Sequence, residues 1–218
     1  MRFRVLVPPT WVFADLAADR AASVRQVVRG LLRGVAPDKA SVALPILTKR
    51  FGALFDQLAA GGFAAVAVQA ESLDEIGMQP MLVIRPLART EGADPLDMVV
   101  ALAAQDQTAE LIDGATFVGV RTRQVEKVTR KASQALPLLG AEAATLAQQA
   151  GAALEATYQR VVHRSRYLMG RPEDADSWVE AFGSVEGSPD DVGEELAELY
   201  TRAFDVIVDS FSWVEEER

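Results

Sequence analysis

The sequence predicts an α+β protein with an antiparallel sheet and helices on both faces of that sheet. Residues 158–169 and 178–185 form two strand-like segments joined by a short acidic turn, which is typical of a β-hairpin. Apolar side chains occupy both faces of these segments, so we expect helices to cover both faces. Earlier strand-like segments are also joined mainly as hairpins, which argues against the strict strand–helix alternation of a doubly wound sheet.

The N-terminal quarter predicts two short strands and two helices. Residues 3–7 alternate in polarity as a strand does, Pro8-Pro9-Thr10 makes a turn, and residues 11–13 form a short returning strand. Apolar residues at helical spacing then predict helices near 17–32 and 37–60. Pro45 either kinks the second helix or marks its true start, and Gly61-Gly62 ends it.

The middle of the chain continues with strands and one short helix. Residues 63–70 and 78–87 predict two strands joined as a hairpin, with prolines that favour strand ends or a sheet edge in the second. Asp94 is the expected N-cap of a helix through residue 104, and residues 117–128 alternate as a long strand. Residues 132–156 are rich in Ala, Gln and Leu and form either an insertion or a flexible helix.

The C-terminal quarter predicts the turn at 170–176 and then a capped amphipathic helix. Ser188 is the expected N-cap and Pro189 the first helical residue. One apolar stripe follows at i, i+3, i+4 and i+7, formed by Leu196, Leu199, Tyr200, Ala203, Phe204, Ile207, Val208 and Phe211. We expect residues 1–218 to form a single domain, because this length is well within the range of one core.

Charge and composition narrow the functional classes. The formal net charge is −9, and the chain has no cysteine. An acidic protein is repelled by a phosphate backbone, so nucleic-acid binding is not expected. No apolar run has the length of a membrane span and no N-terminal segment has the pattern of a signal peptide, so we expect a cytoplasmic protein without membrane attachment.

The charge is distributed unevenly. Residues 116–171 carry 9 Lys/Arg against 3 Asp/Glu, and residues 172–218 carry 2 against 15. This asymmetry has two readings. The arginines either pair with the acidic C-terminal segment of the same fold or form a basic surface for a partner.

Two segments at the ends of the chain carry a family resemblance, residues 4–12 (RVLVPPTWV) and residues 203–213 (AFDVIVDSFSW). The first is similar to the opening strand, proline turn and tryptophan of the Mog1/PsbP-like superfamily, and the second to the closing helix of that superfamily's actinobacterial members. The resemblance implies a three-layer α/β/α fold around an antiparallel sheet. It also implies a binding or assembly role, because members include a small-GTPase partner, a photosystem subunit and chaperone-like proteins. They share no catalytic motif.

The sequence offers little catalytic or metal-binding chemistry. His163 is the single histidine, and Ser165 lies two residues away on the same strand face, where side chains point in parallel. One imidazole does not make an ordinary zinc site. Glu173, Asp174 and Asp176 lack the spacing of a calcium loop and are expected to be a solvated turn. We therefore predict neither an enzyme nor a cofactor.

The arginines of two predicted strands are the one polar cluster in the sequence whose side chains can point to a common face of the sheet. If they share a sheet face, Arg121, Arg123, Arg164 and Arg166, together with Arg160, bind an anion or an acidic partner protein. The alternative is that they pair with Glu180 across the hairpin and with the acidic C-terminal helix.

These residues define the main functional hypothesis and two competitors. The hypothesis is a non-enzymatic protein-interaction or chaperone-like module, which contacts its partner through the arginines and the turn at 173–176. One competitor is a small-molecule-binding protein or enzyme with a pocket between the sheet and the helices at 17–60. The other is a structural homodimer that buries a sheet edge or an apolar helix face.

Overall fold

The computed structural model describes residues 3–70, 80–87, 94–131 and 157–214. Within these ranges the chain forms nine strands and four helices. The strands are β1 (Phe3–Arg4), β2 (Trp11–Asp15), β3 (Ala65–Gln69), β4 (Met81–Pro86), β5 (Glu110–Asp113), β6 (Val118–Lys131), β7 (Thr157–Arg171), β8 (Asp174–Gly187) and β9 (Ser212–Trp213). The helices are α1 (Arg20–Leu31), α2 (Pro37–Ala60), α3 (Pro95–Gln105) and α4 (Asp191–Asp209).

The α+β class is confirmed, and the described strands pair antiparallel throughout. In the described ranges the main sheet has seven strands in the order β2-β3-β4-β8-β7-β6-β5, and β1 pairs with β9 in a separate ribbon. The long hairpin of β7 and β8 is the centre of the sheet. It joins β4, from the first half of the chain, to β6, from the second.

One core cluster joins the sheet to α4. Alternate positions of the central strands, including Tyr167, Met169, Val179 and Ala181, pack with Phe204 and its neighbours on α4. Gly183 lies directly beneath Phe204, where an added Cβ would come within 2.6 Å of the ring. The absence of a side chain at this position therefore lets α4 approach the backbone of β8 closely.

The intervening positions of the strands pack with the other helices. Val66, Val68 and Val83 form a second cluster with Val27 of α1 and Phe55 of α2. Farther along the sheet, Val99 of α3 packs with Val120, Leu168 and Trp178. Beside this core a cavity of about 250 Å³ remains, lined by residues of β2 and α1 that include Val12 and Gly30.

Helix ends follow the expected capping chemistry, with one correction. Asp94 caps α3 as predicted, because its carboxylate accepts a hydrogen bond from the backbone N–H of Leu96. The predicted cap at Ser188 is wrong. Asp190 is the N-cap of α4 and accepts from the N–H of Gly193 at 2.7 Å, while the Ser188 hydroxyl donates to the Asp190 carboxylate. The Asp190 carboxylate is negatively charged and lies nearer the first turn than the Ser188 hydroxyl. It therefore interacts more favourably with the positive end of the helix dipole.

Strand pairing also differs from the prediction at the ends of the chain. The returning strand after Pro8-Pro9 does not pair with the opening strand. Instead β1 pairs with β9, and β2 pairs with β3. The strands β5 and β9 were not predicted because each is too short to show alternation. The turn between β7 and β8 is tighter than residues 170–176, since Asp174 already begins β8. The insertion or flexible helix expected at 132–156 lies outside the described residues.

None of the described helices combines the length and the apolar character needed to cross a bilayer.

Candidate interaction site

The structure does not bring the four predicted arginines together on one face. Arg121 pairs in register with Tyr167, and Arg123 pairs with Ser165. Arg164 and Arg166 alternate with Ser165 and Tyr167 along β7, so their side chains extend from the other face of the sheet. The four residues therefore form two separate pairs with different surroundings.

The first pair, Arg121 and Arg123, forms ion pairs with an acidic residue of α4. Arg121 contacts the Asp205 carboxylate at 2.8 Å, and Arg123 forms an ion pair with the same carboxylate. The phenol of Tyr167 donates a third hydrogen bond to Asp205, and Arg121 also pairs with Glu110 of β5. The predicted pairing with the acidic C-terminal helix is confirmed here, and it joins β6, β7 and α4.

Burial and charge explain the ionisation of this cluster. Burial raises the pKa of Tyr167 far above its usual range, and the neighbouring Asp205 carboxylate raises it further. The phenol therefore stays protonated and remains a hydrogen-bond donor. This cluster neutralises two of the four arginines internally.

Arg166 of the second pair and Arg85 of β4 surround a buried carboxylate on the other face. The side chain of Glu180 on β8 is only 2% exposed. Arg85 of β4 donates to it from Nε at 2.8 Å and from a terminal nitrogen at 2.5 Å. Arg166 of β7 donates to the other carboxylate oxygen at 2.5 Å. The predicted pairing of an arginine with Glu180 across the hairpin is thereby confirmed, with Arg85 as an additional partner.

The two arginines keep Glu180 ionised. Burial by itself would raise the pKa of Glu180, but the hydrogen bonds and positive charges of Arg166 and Arg85 outweigh it and lower the pKa. The three charged groups leave a net positive charge. Because the carboxylate lies between two guanidinium groups, it holds both in defined positions.

Aromatic rings support the same two guanidinium groups. The Arg85 guanidinium carbon lies 5.2 Å from the centre of the Phe182 ring and 5.8 Å from that of Phe63. The Arg166 guanidinium carbon lies 5.9 Å from the Phe182 ring centre. Contacts of this kind attract a cation to the ring face and fix its orientation. We call Phe63, Arg85, Arg166, Glu180 and Phe182 the arginine platform.

The platform keeps donors that an external group can reach. The side chains of Arg85 and Arg166 are each 41% exposed although both contact the buried Glu180. A guanidinium has five N–H groups, and the contacts to Glu180 use only some of them. Arg164 extends from the same face of β7, is half-exposed, and contacts Glu126 at 2.8 Å. The arrangement is that of a rigid cationic surface suited to a carboxylate or another planar anion.

The remaining candidates, His163 with Ser165 and the acidic turn, lie apart from one another in the described part of the chain. His163 lies on the α4 side, its Nε2 has no partner among the described residues, and burial lowers its pKa below the usual value. Ser165 is in register with Arg123, and the described residues contain no group of three metal-ligating side chains. In the acidic turn, Asp174 accepts hydrogen bonds from Ser177 and from the N–H of Asp176, which lower its pKa.

A cleft of about 620 Å³ lies elsewhere, near the N-terminus. It is lined by Phe3, Arg4, Val5, Phe13, Asp15, Ala17, Ala18, Ala64, Ala65 and Val214. Phe13 and Ala65 of its wall pack with the cluster that contains α4, whereas Ala17 and Ala18 belong to the segment that leads into α1.

No family model matches the chain, and no curated protein or solved structure is significantly similar to it.

Proposed function

We propose that the protein is a non-enzymatic protein-interaction module that binds an acidic segment of a partner protein through the arginine platform and Arg164. One observation carries this proposal: a buried glutamate and two phenylalanine rings position two half-exposed guanidinium groups. A pair of arginines that served only to neutralise Glu180 would need neither this exposure nor ring contacts. Fixed guanidinium groups lose little conformational entropy on binding.

The chemistry of the platform favours carboxylates as ligands. Its free N–H groups belong to planar guanidinium ions, which bind carboxylates with two parallel hydrogen bonds. The surrounding ring surface of Phe182 and Phe63 adds an apolar contact for a neighbouring side chain. An acidic segment with interspersed apolar residues satisfies both features.

We also propose the three-layer α/β/α arrangement of the Mog1/PsbP-like superfamily and a cytoplasmic location. The separate core clusters of α4 and of α1 with α2 support the arrangement. The proline turn and the aromatic C-terminal segment agree with the resemblance: Trp11 packs against Phe204, and Phe211 packs against Trp213. The superfamily's binding and assembly roles agree with an interaction module.

The proposal is tested with a labelled peptide of six glutamates and fluorescence anisotropy. Replacing both Arg85 and Arg166 by lysine keeps the charge but removes the planar guanidinium donors. We expect at least tenfold weaker binding, since hydrogen bonds to charged groups contribute about 1.5–3 kcal/mol each. Arg25→Lys is the matched control, because Arg25 is an exposed arginine paired with Asp19 on α1.

Two results would contradict the platform as the contact site. One is equal binding by the double lysine variant and the Arg25→Lys control. That result would mean that the peptide is attracted by positive charge in general and not by the guanidinium groups of the platform. The other is binding of a six-lysine peptide as tight as that of the glutamate peptide.

A second candidate function, small-molecule binding, is favoured by the cleft near the N-terminus. Its volume lies within the range of ligand pockets, and Arg4 and Asp15 supply charges at its wall. A thermal-shift screen of metabolites tests it. A true ligand raises the melting temperature of the native chain but not of Ala18→Trp, in which the indole fills the cleft. A screen without any such ligand removes this candidate.

A further inference from the structure

Three apolar side chains lie on the outer surface of α4 at intervals of seven residues. Val192, Leu199 and Val206 are 67%, 58% and 62% exposed. Seven residues are close to two helical turns, so the three side chains form one row along the helix. A helix that only covers its own core places polar residues on its outer side. The core contacts of α4 therefore do not explain this row.

Two further residues make the row a seam of the coiled-coil type. Leu196 and Ala203 are half-buried and lie between the three exposed residues, so the spacing alternates between four and three residues. This alternation is the heptad pattern of helices that pack side by side. A shallow groove runs beside the seam, and Glu195, Glu198 and Arg202 line it together with Val192, Leu196 and Leu199.

The seam is symmetric about Leu199. Val192 lies seven residues before Leu199, and Val206 lies seven residues after it. A twofold axis at Leu199 therefore sets Leu199 against its own copy and Val192 against Val206 of the second copy. Such an axis is the requirement for a closed contact between identical chains.

The charges beside the seam follow the same symmetry. Glu195 lies four residues before Leu199, and Arg202 lies three residues after it, both among the residues that line the groove. The axis thus brings Glu195 beside Arg202 of the second copy. The same axis brings Arg202 of the first copy beside Glu195 of the second. Among the described residues of one chain, the salt bridge of Arg202 is a distant contact with Glu198, at 3.7 Å between exposed side chains.

We propose that the outer face of α4 binds a second copy of this chain as an antiparallel helix pair centred on Leu199. The apolar row provides the buried contact, and the two Glu195–Arg202 pairs determine its orientation and exclude other registers. The arginine platform extends from strand positions that alternate with those beneath α4. Dimer formation therefore leaves the platform open, and one dimer presents two platforms.

Light scattering coupled to size exclusion measures the oligomeric state directly. At ~100 µM we expect the native chain to have twice its chain mass of 23.5 kDa. Glu195→Arg sets two like charges against each other across the axis, and so does Arg202→Glu. Each single variant is expected to dimerise at least tenfold more weakly. The double variant Glu195→Arg/Arg202→Glu restores opposite charges and with them the dimer.

Mixing the two single variants separates self-association from binding to another protein. Each variant repels itself but complements the other, so a one-to-one mixture is expected to form a heterodimer. Arg25→Glu, a charge reversal on α1, is the control and is expected to stay dimeric. Circular dichroism checks that all variants are folded.

Three outcomes would overturn the proposal. The first is a native chain that is monomeric at this concentration. The second is a dimer that both single variants retain unchanged, since its contact would then lie elsewhere. The third is a pair of folded single variants that do not associate with each other when mixed.

Discussion

The phenol of Tyr167 on β7 donates a hydrogen bond of 2.7 Å to the carboxylate of Asp205 on α4. Arg121 and Arg123 of β6 bind the same carboxylate. One acidic residue thus joins a helix to two strands of the sheet. The bridge fixes α4 over the sheet and removes two of the four candidate arginines from the surface available to a partner.

Replacing Asp205 by asparagine should destabilise the protein strongly. The change leaves Arg123 without its Asp205 counterion and Arg121 with Glu110 alone of its two described carboxylate partners. Breaking such a pair costs about 2–4 kcal/mol where the groups are partly screened by water. The free energy of unfolding from urea titration measures the loss. Glu198→Gln on the exposed side of α4 is the control and should change it by less than ~0.5 kcal/mol. Similar values for the two variants would contradict the bridging role of Asp205.

Tyr167 should make the protein sensitive to alkaline pH. Its pKa is raised in the folded state by burial and by Asp205, whereas the unfolded chain has the ordinary value of about 10. The stabilisation is therefore complete below pH ~10 and is lost as pH rises towards the folded pKa. The native chain should lose stability above pH ~10 more steeply than Tyr167→Phe, in urea titrations at each pH. Parallel curves for the two proteins would show that Tyr167 is not the titrating group.

Glu180 should have the opposite pH dependence. Its pKa is lowered in the folded state, so its contribution is present above the unfolded value of about 4.3 and is lost as pH falls below it. Glu180→Gln should lower the free energy of unfolding by about 2–3 kcal/mol at pH 7, because it removes the counterion of Arg85 and Arg166. The difference from the native chain should shrink between pH ~5 and pH ~3. A difference independent of pH would mean that Glu180 acts through packing alone.

Two glycine substitutions should shift stability in opposite directions. Gly183→Ala forces a methyl group against the Phe204 ring, and overpacking of this kind costs about 1–3 kcal/mol. Gly52→Ala lies within α2, where nothing is within 4 Å of the added carbon, and should stabilise by about 0.5–1 kcal/mol. Thermal unfolding compares them. A neutral Gly183→Ala would mean that α4 does not lie as close to β8 as described.

The sequence was sufficient to predict elements whose signals come from residues that are close together in the chain. Asp94 at the start of α3 and the alternation of β7 and β8 depend on residues near each other in the chain, and both predictions are confirmed. The cap of α4 was misplaced by two residues because Ser188 and Asp190 are both good caps. Only the geometry of the turn shows which of them accepts from Gly193.

Pairings between distant parts of the chain could not be predicted from the sequence in the same way. The contact of Ser210 with Leu6 joins residues separated by 204 positions, and nothing in either segment specifies the other. Arg85 is 95 residues from Glu180, and only the register of β4 with β8 brings them together. The one available signal was a charged residue at the end of an otherwise apolar strand, next to Ile84.

The separation of the four arginines onto two faces follows from strand periodicity. Arg121 and Arg123 are odd-numbered positions of β6 in register with odd-numbered positions of β7, whereas Arg164 and Arg166 are even-numbered. Register decides the face, and a shift of one residue would have placed all four together. Register is set by the pairing of whole strands, which single segments do not specify.

Nuclear magnetic resonance of the terminal Nη–H groups of the arginines tests the platform most directly, because the Nε–H of Arg85 donates to Glu180 and that of Arg166 is buried. With increasing amounts of the six-glutamate peptide, we expect the signals of Arg85 and Arg166 to shift with peptide concentration. The signals of Arg121 and Arg123, which are bound to Asp205, should stay in place. Shifts confined to Arg121 and Arg123, or no shift at Arg85 and Arg166 under conditions where the peptide binds, would contradict the account.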